Sequence, residues 1–142
     1  ILCTGLIEGR EKDLEHHKGL LKNYISKKFI CTNPDLIVHK GEAVEYCAGT
    51  IAKLFESIGG EVVYFGKPHK EIYTMCFKEN EKVIAIGDNL NTDIKGANNM
   101  NIDSIFISDG VHRSEFEDES KIKILTSKYK VEASYYQPKL VW

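Results

Sequence analysis

The spacing of apolar positions changes several times along the chain, and each change predicts an element. Ile1 to Cys3 open in a strand-like run. Over 13–28, Leu14, Leu21, Tyr24 and Ile25 recur at helical spacing. The short run Phe29-Ile30-Cys31-Thr32 then reads as a strand and stops at Asn33-Pro34-Asp35. Proline fixes φ there and the flanking side chains bond nearby backbone, which makes a tight turn. Over 43–58, Val44, Cys47, Ala48, Ile51, Phe55 and Ile58 share one stripe, predicting an amphipathic helix that Gly59-Gly60 terminates.

Beyond that point the pattern alternates. Strand 61–65 leads through Gly66-Lys67-Pro68 to helix 69–79, and strand 82–86 leads through 87–91 to helix 92–101. Strand 103–107 then meets Ser108-Asp109-Gly110. Helical segments are expected within 115–129, and a last short strand over 139–142. Strand-helix-strand alternation with short links predicts an α/β fold built on a doubly wound parallel sheet. In such a sheet the loops after the strands emerge on one edge, where ligands bind. Lys67, Asp88 and Asp109 are therefore expected at a common rim.

Composition narrows the class. The chain has 142 residues, 42% hydrophobic and 28% charged, with 19 Lys and Arg against 21 Asp and Glu, for a formal net charge of −2. These values fit a folded domain and exclude collagen-like or disordered chains. A near-neutral chain offers no broad attraction to nucleic acid or an anionic membrane, so neither is expected as a partner. No apolar run is long enough to span a bilayer. The four cysteines, at 3, 31, 47 and 76, form no CxxC motif and read as reduced, mostly buried thiols of a cytoplasmic protein.

Two strand-end segments carry candidate chemistry. In Val83 to Ile94 a buried strand delivers Asp88 at its tip and Asp93 opens a helix five residues later. Paired carboxylates in that setting suit a hard divalent cation such as Mg²⁺. The same two residues also suit a plain turn and a helix N-terminus. In Gly66-Lys67-Pro68-His69 the proline suits the first turn of a helix, and the lysine before it offers a compact charge for a phosphate. A solvated surface lysine is the alternative.

Together these residues match a family. Gly66-Lys67-Pro68 followed by Gly87-Asp88-Asn89-Leu90-Asn91-Thr92-Asp93-Ile94 resembles the third and fourth motifs of the haloacid dehalogenase-like (HAD) phosphatases. The run Phe29 to Asp35 is similar to the subfamily with a large α/β cap, the group of NagD, the p-nitrophenyl phosphatases and pyridoxal phosphate phosphatase. The resemblance extends from about Ile1 to Glu115. It implies a Mg²⁺-dependent phosphomonoester hydrolase of small phosphorylated metabolites, working through an aspartyl phosphate. In that scheme Lys67 neutralises the transferred phosphoryl group. Asp88 binds the metal directly. Asp93 holds a metal-bound water or Lys67, and Asn89 shapes the loop and touches the metal site. Asn33 and Asp35 lie in the cap segment where the leaving group is selected, and dimerisation is implied through the cap.

One departure is large. The family has an Asp-x-Asp pair on its first strand and a Ser or Thr motif on its second, and neither is in this chain. The nearest mimic, Ile105-Phe106-Ile107-Ser108-Asp109-Gly110-Val111, has Ile107 at the nucleophile position, leaving Asp109 as a rim carboxylate. The expectation is a C-terminal portion of a longer protein, with 1–57 the remainder of the cap and 58–142 the second half of the core. Alone, it is expected to be inactive and to fold poorly or associate. The rival reading is a non-catalytic relative that binds a phosphorylated ligand or a partner. A dinucleotide site is disfavoured because no strand is followed by GxGxxG. His16, His17, His69 and His112 are not assigned functions. Tyr135, Tyr136 and Trp142 are expected to close a core, and 115–123 to form a solvated charged face.

Overall fold

The computed structural model describes residues 1–41, 43–116 and 118–141. Its elements are β1 (Leu2–Cys3), α1 (Leu14–Lys22), β2 (Phe29–Cys31), β3 (Ile37–Lys40), β4 (Ala43–Tyr46), α2 (Ala48–Ser57), β5 (Val62–Tyr64), α3 (Lys70–Cys76), β6 (Ile84–Gly87), a π-helical turn (Leu90–Ile94), α4 (Lys95–Met100), β7 (Asp103–Ile107), a 3₁₀ turn (Glu119–Lys121), α5 (Ile122–Tyr129) and β8 (Tyr135–Gln137). The backbone groups into two units, Ile1–Gly66 and Lys67–Trp142. Each has its own parallel sheet, as the α/β alternation requires.

In the first unit the strand order is β1-β2-β5, with Phe29 opposite Val62 and Cys31 opposite Tyr64. Cys3, Leu21, Phe29, Cys31, Ala48, Ile51, Ala52 and Phe55 form its core. Phe29 and Phe55 stack with ring centroids 5.0 Å apart, joining β2 to α2. Asp13 caps α1 by accepting the His16 N–H at 2.9 Å. The Asn33-Pro34-Asp35 turn forms as expected. Asn33 Oδ1 accepts from the Asp35 N–H at 3.2 Å, and the Asp35 carbonyl accepts from the Gly49 N–H at 3.1 Å. A side chain at Gly49 would overlap the Pro34 and Asp35 carbonyls, so the turn and α2 meet where only glycine fits.

The second unit has the order β6-β7-β8. Ile84 pairs with Asp103 and Ile105 with Tyr135. Its core is Leu90, Ile94, Phe106, Leu125 and Val131, so the π-helical turn, β7 and α5 share one apolar centre.

Several boundaries differ from the sequence pattern. Residues 43–46 are not helix: β4 pairs antiparallel with β3, Val38 facing Glu45 and Lys40 facing Ala43. The alternation of 37–46 favours a hairpin, and Gly41 at φ +62° enters its turn. Helix α1 ends at Lys22, and Tyr24 and Ile25 beyond it are exposed. Strand 61–65, read from sequence with the later alternation, is hydrogen-bonded to β2 of the first sheet. The last strand is Tyr135–Gln137, and 139–141 is not strand. Tyr135 and Tyr136 are exposed on β8 and do not close a core. Trp142 lies outside the described residues. The cysteines are free, Cys3 and Cys31 buried, Cys47 half-buried and Cys76 exposed. Among the described residues no helix is long and apolar enough to cross a membrane.

Candidate active site

Strand β6 ends at Gly87, and the two residues that follow begin the candidate site. Asn89 caps the π-helical turn: its Oδ1 accepts from the Asn91 N–H at 2.9 Å. Its carbonyl accepts from the N–H groups of Thr92, Asp93 and Ile94 at 3.3, 2.9 and 3.3 Å. This winds the chain so that Asp93, five residues after Asp88, turns back toward the strand end. A Cβ at Gly87 would overlap the Asp93 carboxylate, so glycine is what admits that side chain.

Asp93 is 7% exposed, and both of its oxygens are used. Oδ1 accepts from Lys67 Nζ at 2.5 Å, and Oδ2 accepts from the Asn89 N–H at 3.1 Å. A buried carboxylate needs such partners to remain charged. Lys67 reaches it from the loop before α3. The Asn99 amide on α4 donates to the Pro68 carbonyl at 3.0 Å, and the Lys67–Pro68 peptide is cis. Tyr73 on α3 packs its hydroxyl over Gly96 of α4. Burial raises its pKa, the Asp93 charge adds to the rise, and Lys67 opposes it.

Asp88 is placed differently. Its Oδ2 accepts from the Val111 N–H at 2.9 Å, and a side chain at Gly110 would overlap its carboxylate. The loop after β7 therefore presses directly on the acidic residue after β6. Asp109 in that loop is turned to the chain tail. Its N–H donates to the Pro138 carbonyl at 3.0 Å, and its carboxylate lies 3.4 Å from Lys139 Nζ.

The structure thus joins Lys67, Asp93 and Asn89 by direct bonds. Asp88 is their chain neighbour, fixed from the other side by Val111. Asn33 and Asp35 belong to the first unit, where both take part in the turn beside Gly49. Among the described residues no three His, Cys, Asp or Glu side chains cluster as a ready metal site. The oxygen donors fit Mg²⁺ in a limited way. Asp93 accepts one bond at each oxygen, from Lys67 and the Asn89 N–H, and Asn89 Oδ1 accepts one in its cap, so both keep lone pairs but are already oriented by protein. Asp88, at the strand tip, is the carboxylate best placed to serve as a direct ligand. That suits an ion that keeps several waters and takes one or two carboxylates.

One group escaped the sequence reading. His112, 3% exposed, sits behind the acidic loop. Its Nε2 accepts from the Leu90 N–H at 3.2 Å, and its Nδ1 lies 2.8 Å from Glu115 Oε1. Glu115 also accepts from the Tyr129 hydroxyl at 2.7 Å and from Lys128 at 2.5 Å. Lys128 first, and His112 next, lower the Glu115 carboxyl from 4.5 to about 2. Burial first, then Glu115, raises Tyr129 to about 12. Glu115, expected on a solvated charged face, is instead the hub of this network. The signal available in sequence was the spacing of His112 and Glu115, three residues apart and just after Asp109-Gly110.

Residues 64–131 match the family model described as HAD-hydrolase-like, a stretch containing Lys67, Asp88, Asn89, Asp93, His112 and Glu115. A hydrolase of the haloacid dehalogenase-like family from Brucella suis 1330 is 30% identical, with a TM-score of 0.79 over 99% of this chain and 55% of that one. An acid sugar phosphatase of Staphylococcus epidermidis is 33% identical over 96 residues, 64% of this chain and 36% of the relative. A dihydroxyacetone phosphatase of Corynebacterium glutamicum (strain R) is 27% identical over 89 residues, 59% of this chain and 32% of the relative. The chain therefore spans about a third of these two curated relatives and about half of the solved structure. The parallel α/β architecture, the pairing of Lys67 before α3 with Asp93 after β6, and these similarities lead to one conclusion: residues 64–131 form a HAD-hydrolase-like region, and the chain as a whole is similar to HAD-like hydrolases.

Proposed function

We propose that this chain is the C-terminal portion of a Mg²⁺-dependent phosphomonoester hydrolase for small phosphorylated metabolites. The observation that carries the reading is the Lys67–Asp93 pair tied to the Asn89 N–H, one residue from Asp88. A half-exposed ammonium anchored on a buried carboxylate is held in place yet still presents a positive charge to an incoming phosphoryl oxygen. Mg²⁺, bound through Asp88, would supply further neutralisation of the phosphoryl charge. The names of the two curated relatives support phosphorylated sugars and trioses as the substrate class.

In this scheme a nucleophilic aspartate outside these residues attacks phosphorus and expels the alcohol. Water then hydrolyses the aspartyl phosphate. Lys67 orients the phosphoryl group, Asp93, itself fixed by the Asn89 N–H, holds Lys67, and Asp88 would hold the metal. Residues 1–57 serve as the remainder of a cap of the NagD type, 58–142 as the second half of the core, and Asn33 and Asp35 as leaving-group contacts. A cytoplasmic enzyme that dimerises through its cap completes the reading. The test is turnover of p-nitrophenyl phosphate and of a panel of sugar and triose phosphates by the full-length protein, with and without Mg²⁺. Mg²⁺-dependent hydrolysis abolished by Asp88→Asn supports it. Tight binding of the same esters without hydrolysis would favour the non-catalytic ligand-binding relative.

A further inference from the structure

We propose that His112, held as the neutral Nδ1–H tautomer by Glu115, is a positioning residue that fixes the Asp88–Leu90 loop for cation binding; this rests on the hydrolase reading above. The Leu90 N–H lies in the first turn of the π-helical segment, where helix geometry offers no intrahelical acceptor. His112 Nε2 takes that N–H at 3.2 Å. A ring nitrogen that accepts there carries no proton, so the proton sits on Nδ1 and is donated to Glu115 Oε1 at 2.8 Å.

Val111, the residue before, donates its own N–H to Asp88 Oδ2 at 2.9 Å. Two consecutive residues therefore grip the acidic loop in opposite senses. Val111 donates to the carboxylate, and His112 accepts from the backbone two residues further on. The grip is braced from α5, where Tyr129 and Lys128 hold Glu115 and the Tyr129 ring lies edge-on to the imidazole at 4.6 Å between centroids. His112 is too buried to meet a substrate and acts through the loop. The role resembles that of the partners that orient metal ligands, whose removal costs about 10–100-fold in affinity or activity.

The test uses the full-length protein. Long-range ¹⁵N spectra should show His112 with an unprotonated Nε2 and a protonated Nδ1. A Mg²⁺ titration followed by the Asn89 and Leu90 amide shifts gives an apparent Kd without requiring turnover. His112→Leu is expected to weaken Mg²⁺ binding about 10–100-fold. His112→Gln, whose amide oxygen can accept the Leu90 N–H, should recover most of that loss. Glu115→Leu leaves the ring in place with its tautomer unfixed, should mix the two tautomers and raise the Kd severalfold, and serves if His112→Leu does not fold. Wild-type Kd values in folded His112→Leu and Glu115→Leu overturn the proposal while leaving the hydrolase reading intact. A wild-type protein that hydrolyses no ester, yet loses Mg²⁺ affinity on His112→Leu and regains it on His112→Gln, keeps the positioning role and discards the hydrolase reading.

Discussion

Two strand-end loops of this chain begin alike and finish differently. After β2 the sequence runs Thr-Asn-Pro-Asp, and after β6 it runs Asp-Asn-Leu-Asn-Thr-Asp. Each loop lies against a glycine that has no room for a side chain. In the first, the groups pressed on Gly49 are main-chain carbonyls, and Asn33 spends its oxygen on the Asp35 N–H. In the second, the groups pressed on Gly87 and Gly110 are the carboxylates of Asp93 and Asp88. The same turn chemistry closes one loop on itself and leaves the other with charge gathered at a strand tip. What separates them is which atoms the glycines admit, and whether a lysine is anchored alongside.

Substitutions at the charged loop should break this contrast most strongly. Lys67→Ala or Asp88→Asn in the full-length protein is expected to cut p-nitrophenyl phosphate turnover roughly 10²–10³-fold or more. Lys67→Ala also lowers the thermal midpoint because it leaves the buried Asp93 carboxylate without its cation, whereas Asp88→Asn changes it little. Near-normal rates in both would erase the distinction between the loops. Gly110→Ala comes next. The added methyl must displace the Asp88 carboxylate, and a shift of about 1 Å at a reacting site can cost about 10²-fold in kcat, measurable beside an unchanged circular dichroism spectrum.

At the other loop the loss should fall on stability. Gly49→Ala forces backbone apart and is expected to cost about 1–3 kcal/mol in a urea melt. Asn33→Ala removes one turn hydrogen bond, about 1 kcal/mol, and should alter KM without altering the Mg²⁺ requirement.

The smallest effect is pH-dependent. The folded Glu115 carboxyl lies near 2, below its unfolded 4.5, so it adds stability that is present above about 4.5 and lost as pH falls through about 2. Lys128→Leu removes the largest cause of that depression. Its thermal midpoint should lie below wild type at pH 7, and the gap should narrow steadily toward pH 2.

The sequence made some of this legible and hid the rest. Strands β2, β5 and β7 stand out because each is a short apolar run ended by turn residues. The Lys67 and Asp88–Asp93 motifs stand out because a lysine and two acids follow successive apolar strands at spacings that predict one sheet edge. Residues 43–46 deceived the helical reading, since Val44 and Cys47 fit a helical stripe as well as they fit an alternating strand. Pairing with 37–40, a tertiary preference, decided between them. The His112 network was hidden for a related reason. Its members come from 90, 112, 115, 128 and 129, and only the fold around Phe106 and Leu125 brings them together. The direction of Asp93 was legible as a helix-start acid. That its oxygens would be turned to Lys67 and the Asn89 N–H, with Asp88 left at the strand tip, needed the π-helical winding.

Among the described residues, β6 has β7 as its hydrogen-bonded neighbour on one side, and Ile84 and Ile86 are 45% and 44% exposed. Its other flank is an edge of that sheet. Parallel pairing spaces strands about 4.8 Å apart, so any segment that zips onto that flank in register delivers its own terminal side chains beside Asp88. The strand is thus a ruler as well as a scaffold: its length and register would dictate which residue of an added segment arrives at the acidic tip.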